Sequence, residues 1–280
     1  MIKQAGIVSC SNGQLPERKN EIDELFRMLS EAGICPVEAA HLYARDGVFS
    51  GTARERAEDL MAFYQDERID AIFDISGGDI ANEILDFLDY DIIRASEKEF
   101  WGYSDLTTVI NAIYTMTGKS SVLYQVKNLV WDKSGIQKKR LEGFQKADET
   151  ELFDIRYHFL QGKEMSGIVA GGNVRCFLKL AGTRYWPELN GKILLLEALG
   201  GEIPQISTYF AQLSQLGAFE KVSGILLGTF TRFEQSGTDR TVYDLIAPYI
   251  PSGLPVAKTA EIGHGNDAKA IRIGETCHFK

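Results

Sequence analysis

Apolar side chains along this chain fall into two blocks of alternating strand and helix signals. In the first, residues 5–9 predict a buried strand, and Ile22, Leu25, Phe26 and Leu29 then recur at helical spacing up to Gly33. Residues 34–37 predict a second short strand, with His41 in the polar connection after it. Ala57, Leu60, Met61 and Tyr64 predict a helix face, residues 69–75 a third strand, and Ile80, Ile84 and Leu88 another helix. Phe100-Trp101 runs into a sharp turn at Gly102-Tyr103-Ser104-Asp105. Leu106, Val109, Ile110, Ile113 and Tyr114 then give an amphipathic helix closed by Gly118. This alternation predicts an open parallel sheet covered by helices on both faces.

Between residues 120 and 165 the pattern supports a strand at 122–124 and a basic stretch with Lys133, Lys138, Lys139, Arg140 and Lys146. That stretch reads as a solvated helix face or connector. The second block starts at Gly167-Ile168-Val169-Ala170 and passes through Gly171-Gly172-Asn173. Val174, Phe177, Leu178 and Ala181 follow at helical spacing. Residues 192–196 predict a strand ending in Glu197. Helix signals at Ile206, Tyr209, Phe210, Leu213 and Leu216 and at Val242, Leu245, Ile246 and Tyr249 flank a strand at 222–227. Apolar segments at 255–257 and 270–273 flank Gly263-His264-Gly265. The chain therefore divides into an N-terminal α/β domain over 1–125, a connector over 126–165, and a second α/β-containing domain over 166–280.

Composition narrows the function classes. A net charge of −9 argues against non-specific nucleic-acid binding, which needs a basic surface. No apolar run approaches the roughly 20 residues of a membrane span. The start, Met1-Ile2-Lys3-Gln4, lacks the long apolar core of a signal peptide, so a cytoplasmic location is expected. Cys10, Cys35, Cys176 and Cys277 are scattered, without a Cys-x-x-Cys pair or a His at metal-ligand spacing. They read as buried, reduced thiols, with no structural metal.

Candidate chemistry sits at strand ends. Ser104 lies where a strand turns into a helix, a position that lifts Oγ out of the sheet and aims free helical N–H groups at whatever it attacks. The arrangement is similar to a nucleophile elbow, although position 106 is Leu and Gly-x-Ser-x-Gly is not met. Ser104 and Asp105 equally suit a helix cap. Ser76-Gly77-Gly78-Asp79 ends the third strand, either as a tight turn or as a place for close backbone approach, and it matches no phosphate-loop pattern. Glu197 follows four apolar residues, where a buried carboxylate needs a partner. His264, between two glycines, has an unobstructed ring.

Ser104, Glu197 and His264 supply a nucleophile, an acid and a base in that chain order. With Ser76-Gly77-Gly78, Gly102-Tyr103-Ser104-Asp105-Leu106-Thr107, Gly171-Gly172-Asn173, Leu194-Leu195-Leu196-Glu197, Leu226-Leu227-Gly228 and Gly263-His264-Gly265, they span most of the chain. In these motifs the sequence resembles the LD-carboxypeptidase family of serine peptidases, which includes muramoyltetrapeptide carboxypeptidases and the microcin C self-immunity peptidases. The resemblance implies an N-terminal open parallel-sheet domain carrying the nucleophile and a second domain carrying the acid and base. It implies Ser104 as nucleophile, His264 as general base, Glu197 as the group that orients it, and the backbone N–H groups of Gly78 and Asp105 as oxyanion donors. It further implies a homodimer that needs no metal or cofactor and takes a small peptide, a murein-derived tetrapeptide losing its terminal D-amino acid.

Two departures bear on substrate. Tyr124 is followed by Gln125-Val126 where many members carry Gly-Pro, and Glu197 by Ala198-Leu199-Gly200-Gly201-Glu202 where many carry an acidic or aromatic series. An alternative is an immunity-type peptidase acting on peptidyl or aminoacyl nucleotides. It would favour an aromatic platform, for which Trp186 and Tyr185 are candidates unless they belong to the core. A non-catalytic binding module on the same fold is a third possibility.

Overall fold

Two six-stranded sheets form the centre of the computed structural model, which describes residues 1–280. In chain order the strands are β1 (Gln4–Val8), β2 (Cys35–Glu38), β3 (Ala71–Asp74), β4 (Glu99–Gly102), β5 (Ser121–Leu123), β6 (His158–Gln161), β7 (Met165–Asn173), β8 (Ile193–Ala198), β9 (Gly224–Phe230), β10 (Val256–Lys258), β11 (Ile271–Ile273) and β12 (Thr276–Phe279). The first sheet runs β11-β5-β4-β3-β1-β2 and the second β12-β7-β8-β9-β10-β6. β1 to β5 are parallel, and β11 closes their edge antiparallel to β5. β7 to β10 are parallel, with β12 and β6 as antiparallel edges. The expected two-part α/β architecture is present.

Continuous apolar runs mark strands covered on both faces. All four residues of β3 are buried, as are all six of β8. In the first sheet β1 lies between β2 and β3, so the crossovers leave it in opposite directions. A crevice opens beyond the carboxyl ends of strands at such a switch point. Here Asn12, after β1, donates its N–H to the Gly77 carbonyl, after β3, at 3.1 Å. No helix is long and apolar enough to cross a membrane.

The segment predicted helical at Ile80–Leu88 is a tighter 3-10 helix, Ala81–Phe87. Its buried Ala81 and Ile84 are three residues apart, the spacing that a three-residue turn stacks on one side. The thiol expectation holds for Cys10 and Cys176. Cys35 is exposed and Cys277 half-buried, because β2 and β12 are edge strands.

What joins the sheets is the helix Thr107–Thr117, directly after Ser104. Its sequence is amphipathic, yet every residue from Thr107 to Ile113 is buried. The second sheet covers the face that a lone domain would leave wet. Val109, Ile110 and Ile113 share one apolar cluster of 36 residues with Val169 and Leu195. The polar member of this interface is satisfied in full. Asn111 donates from Nδ2 to the Gly171 carbonyl at 2.8 Å and accepts the Gly171 N–H on Oδ1 at 2.9 Å. Thr107 Oγ1 accepts the Asn173 N–H at 3.0 Å. The glycines of Gly171-Gly172-Asn173 permit this approach. A Cβ on Gly171 (φ +103°) would sit 2.2 Å from the Leu195 carbonyl oxygen, and one on Gly172 (φ +131°) 2.8 Å from Thr107 Oγ1.

Gly171→Ala combines that clash with a backbone conformation costing of order 1–3 kcal/mol for a side chain. The variant is expected to unfold at lower urea concentration, with a loss of at least about 1–3 kcal/mol. Gly118→Ala, at a left-handed helix end with open space around its Cβ, is expected to lose about 1 kcal/mol, as for Gly→Ala at such a cap. Equal losses would contradict the docking role of Gly171.

Candidate active site

β4 ends at Gly102, Tyr103 is extended, and Ser104 adopts φ +56°. A non-glycine residue in the left-handed region stores strain, which persists only where both flanks are fixed. Neither the 3-10 turn Ser104–Leu106 nor the helix Thr107–Thr117 has a side-chain cap, so Ser104 and Asp105 do not serve as one. The Ser104 hydroxyl points instead at a histidine.

That histidine is His264. Ser104 Oγ lies 3.1 Å from His264 Nε2, and His264 Nδ1 lies 2.8 Å from Glu197 Oε2. The structure thus brings together three residues from three separate strand ends or loops. Glu197 is fully buried, and the His264 side chain is 11% exposed. A neutral imidazole carrying its proton on Nδ1 donates to Glu197 and leaves Nε2 to accept from the serine hydroxyl. Tyr103 completes the arrangement. Its hydroxyl donates to the same Glu197 oxygen at 3.0 Å, and its ring meets the His264 ring edge-on at 4.9 Å. Burial first, and then the Glu197 charge, push the Tyr103 phenol well above its ordinary range, so it stays a donor. Glu197 Oε1 is buried and accepts nothing within the protein, so Oε2 alone holds both partners.

Gly78 lines the same cavity as Ser104, at φ +127°. A Cβ there would lie 2.2 Å from the Asn12 side chain, so only glycine lets this peptide pass. Asp105 has a task that its place in the sequence does not announce. Its carboxylate is fully buried and takes three donors: Ser11 Oγ at 2.7 Å, the Ala81 N–H at 2.8 Å and Lys179 Nζ at 2.5 Å. Lys179 also donates to the Asp79 carbonyl at 2.8 Å. Arg175, one helical turn earlier, pairs with the Asp79 carboxylate and donates to the Gly78 carbonyl at 3.2 Å. Two cations from the second half of the chain therefore hold the Gly78-Asp79 loop and the Asp105 carboxylate beside Ser104. Arg175 and Lys179 sit four apart, and that spacing is the only trace in the sequence of a shared face.

The basic stretch after residue 130 differs from expectation. Lys133, Lys139 and Lys146 are exposed, but Arg140 is buried within the helix Ile136–Gln145. Arg140 donates to the Asp267 carbonyl at 2.6 Å, and Gln137 donates to the carbonyls of Asn266 and Ala268 at 2.7 and 2.8 Å. This helix braces the loop that presents His264. Trp186 and Tyr185 do not border the site. Trp186 packs on Phe177 at 4.5 Å between ring centroids, and the Tyr185 hydroxyl donates to Asp86 at 2.5 Å. The cavity beside Ser104 has a volume of about 510 Å³ and is mainly polar, with Tyr209 as its one aromatic.

Comparison with known proteins finds matches to both halves of the chain. Residues 5–124 match the LD-carboxypeptidase N-terminal domain and residues 166–279 the LD-carboxypeptidase C-terminal domain. The microcin C7 self-immunity protein of Escherichia coli is 27% identical, over 96% of this chain and 88% of the relative. The probable murein peptide carboxypeptidase of Bacillus subtilis is also 27% identical, over 92% of this chain and 84% of the relative. Among solved structures, the ligand-free microcin C7 self-immunity protein superposes with a TM-score of 0.89 at 24% identity, over 99% of this chain and 92% of that one. The muramoyltetrapeptide carboxypeptidase from Oxalobacter formigenes gives 0.80 at 20% identity, over 98% and 94%.

Lys179→Met would leave the Asp105 carboxylate buried without its cation. Breaking such a pair costs about 3–5 kcal/mol, and urea denaturation is expected to show a loss of that size. Lys19→Ala, which removes an exposed pair with Asp23, is expected to leave the midpoint nearly unmoved. A Lys179→Met variant as stable as the wild type would show that Asp105 is not held in this way.

Proposed function

The chain belongs to the LD-carboxypeptidase family, and from that premise we propose that it is a serine carboxypeptidase that releases the terminal D-amino acid from murein-derived tetrapeptides. The observation that carries the proposal is the hydrogen-bonded line from Ser104 Oγ through His264 to the buried Glu197 carboxylate. Ser104 is the nucleophile, His264 the general base, and Glu197 the group that fixes the imidazole and stabilises its charged form. His264 Nε2 takes the Ser104 proton as Oγ attacks the carbonyl between an L-centre and the terminal D-residue. The N–H groups of Gly78 and Asp105 receive the oxyanion. Collapse expels the D-amino acid amine, which takes the proton back from His264, and leaves an acyl-enzyme. Water, deprotonated by the same imidazole, then releases the shortened peptide. Names of relatives such as the murein peptide carboxypeptidase support the substrate class. The protein works in the cytoplasm as a homodimer, without a cofactor.

A second assignment, cleavage of aminoacyl nucleotides, draws on the likeness to the self-immunity protein. The aromatic platform it calls for is not supplied by Trp186 or Tyr185, which leaves Tyr209 alone.

Ser104→Ala is expected to lower kcat/KM by about four to six orders of magnitude, with an unchanged unfolding midpoint. Because serine and histidine act as one unit, Ser104→Ala combined with His264→Ala should be scarcely worse than either alone. Retention of a tenth of the activity in Ser104→Ala would end the serine mechanism. Substrate choice is checked by comparing a free-acid tetrapeptide, its C-terminal amide and an aminoacyl sulfamoyl adenylate. Amidation is expected to cost about 1.5–3 kcal/mol, the usual worth of a charged hydrogen bond. An adenylate preferred by about tenfold, roughly 1.4 kcal/mol, would decide for the second assignment.

A further inference from the structure

Four charged side chains line the cavity beside Ser104: Asp79, Arg175, Glu202 and Arg232. Two of them are already paired. Asp79 and Arg175 form an ion pair, and Glu202 begins the helix Ile203–Gln215, its N–H donating to Gln205 Oε1 at 3.1 Å. Arg232 is the one cation among them that no anion pairs. Its side chain is exposed and lies against the neighbouring loop. The Arg232 N–H donates to the Leu199 carbonyl at 3.0 Å, and its Nη1 lies 3.8 Å from where a Gly200 side chain would begin. The guanidinium therefore rests along Leu199-Gly200, in the loop that leaves the fully buried Glu197. That loop is the segment in which this sequence departs from the acidic or aromatic series common after the acid.

We propose that Arg232 binds the free carboxylate of the substrate's terminal residue, and so makes the enzyme an exopeptidase. The proposal rests on the carboxypeptidase assignment above. A planar guanidinium matches a carboxylate with two parallel hydrogen bonds. One residue spans about 3.8 Å, and Ser104 and Arg232 line the same cavity. An internal peptide bond would place a neutral amide against Arg232 and leave its charge unpaired. Arg175, held by Asp79, is not available for this task.

The test uses the full chain as wild type, Arg232→Gln and Arg232→Lys. Each is assayed on a free-acid tetrapeptide, on its C-terminal amide, and on a peptide whose internal side-chain carboxyl is amidated. Wild type is expected to favour the acid over the C-terminal amide by about 10- to 100-fold in kcat/KM. In Arg232→Gln that ratio should fall to near one, chiefly through KM, and Arg232→Lys should keep part of it. Sensitivity to the internal amidation should be the same in all three proteins. A ratio that survives intact in Arg232→Gln overturns the role of Arg232 while leaving the carboxypeptidase assignment standing. Loss of sensitivity to the internal carboxyl instead of the terminal one overturns it in favour of a side-chain contact. A wild type that cleaves acid and amide equally overturns both together.

Discussion

Glu197 is fully buried, and both of its protein donors converge on one oxygen. Isolated, such a carboxylate is expensive to bury. Tyr103 arrives from the end of β4 in the first sheet and His264 from the loop after β10 in the second. Glu197 itself lies on β8 of the second sheet, so the Tyr103 hydroxyl reaches it only when the two sheets dock in the observed register. The carboxylate that holds the imidazole thus also carries a contact between the two halves. Asn111 on Gly171 and Lys179 on Asp105 repeat the theme, each satisfying a buried polar group of one half with a group from the other.

This mutual dependence accounts for the backbone at Ser104. A left-handed serine is stable only between fixed neighbours. On one side the Tyr103 hydroxyl is tied to Glu197. On the other, three donors hold the Asp105 carboxylate. The strained residue sits between two anchors that both draw on the far half of the chain. Its Oγ is consequently aimed at His264 before any substrate arrives, which is the geometry that lowers the reorganisation needed during reaction.

Much of this was legible in the sequence, for definite reasons. Strands covered on both faces give unbroken apolar runs, and β3 and β8 were visible as such. Ser104, Glu197 and His264 stood out because each breaks an apolar or glycine-rich context at a strand end. The rest depends on contacts distant in the chain. β6 and β12 are short antiparallel edges with half-exposed patterns, so periodicity did not mark them. Asp105 offered itself as a cap because no local signal announces Lys179, which approaches from 74 residues away. Arg140 looked like one more cation in a basic run, and only the loop at Asp267 gives it a reason to be buried. Trp186 and Tyr185 were ambiguous between site and core, and packing on Phe177 and Asp86 decided for the core.

The pairing of β11 with β5 bears on the order in which the molecule comes into being. A ribosome delivers the chain from its N-terminus. Residues 1–123 can emerge and align five parallel strands, yet β5 keeps a bare edge until Ile271–Ile273 appear. His264 emerges only a few residues earlier. Until that stretch appears the nascent chain carries Ser104 without its His264 partner and a sheet with no closed border. The hydrogen bond to Ser104 and the closure of the sheet edge are thus both completed by one short stretch, residues 264–273.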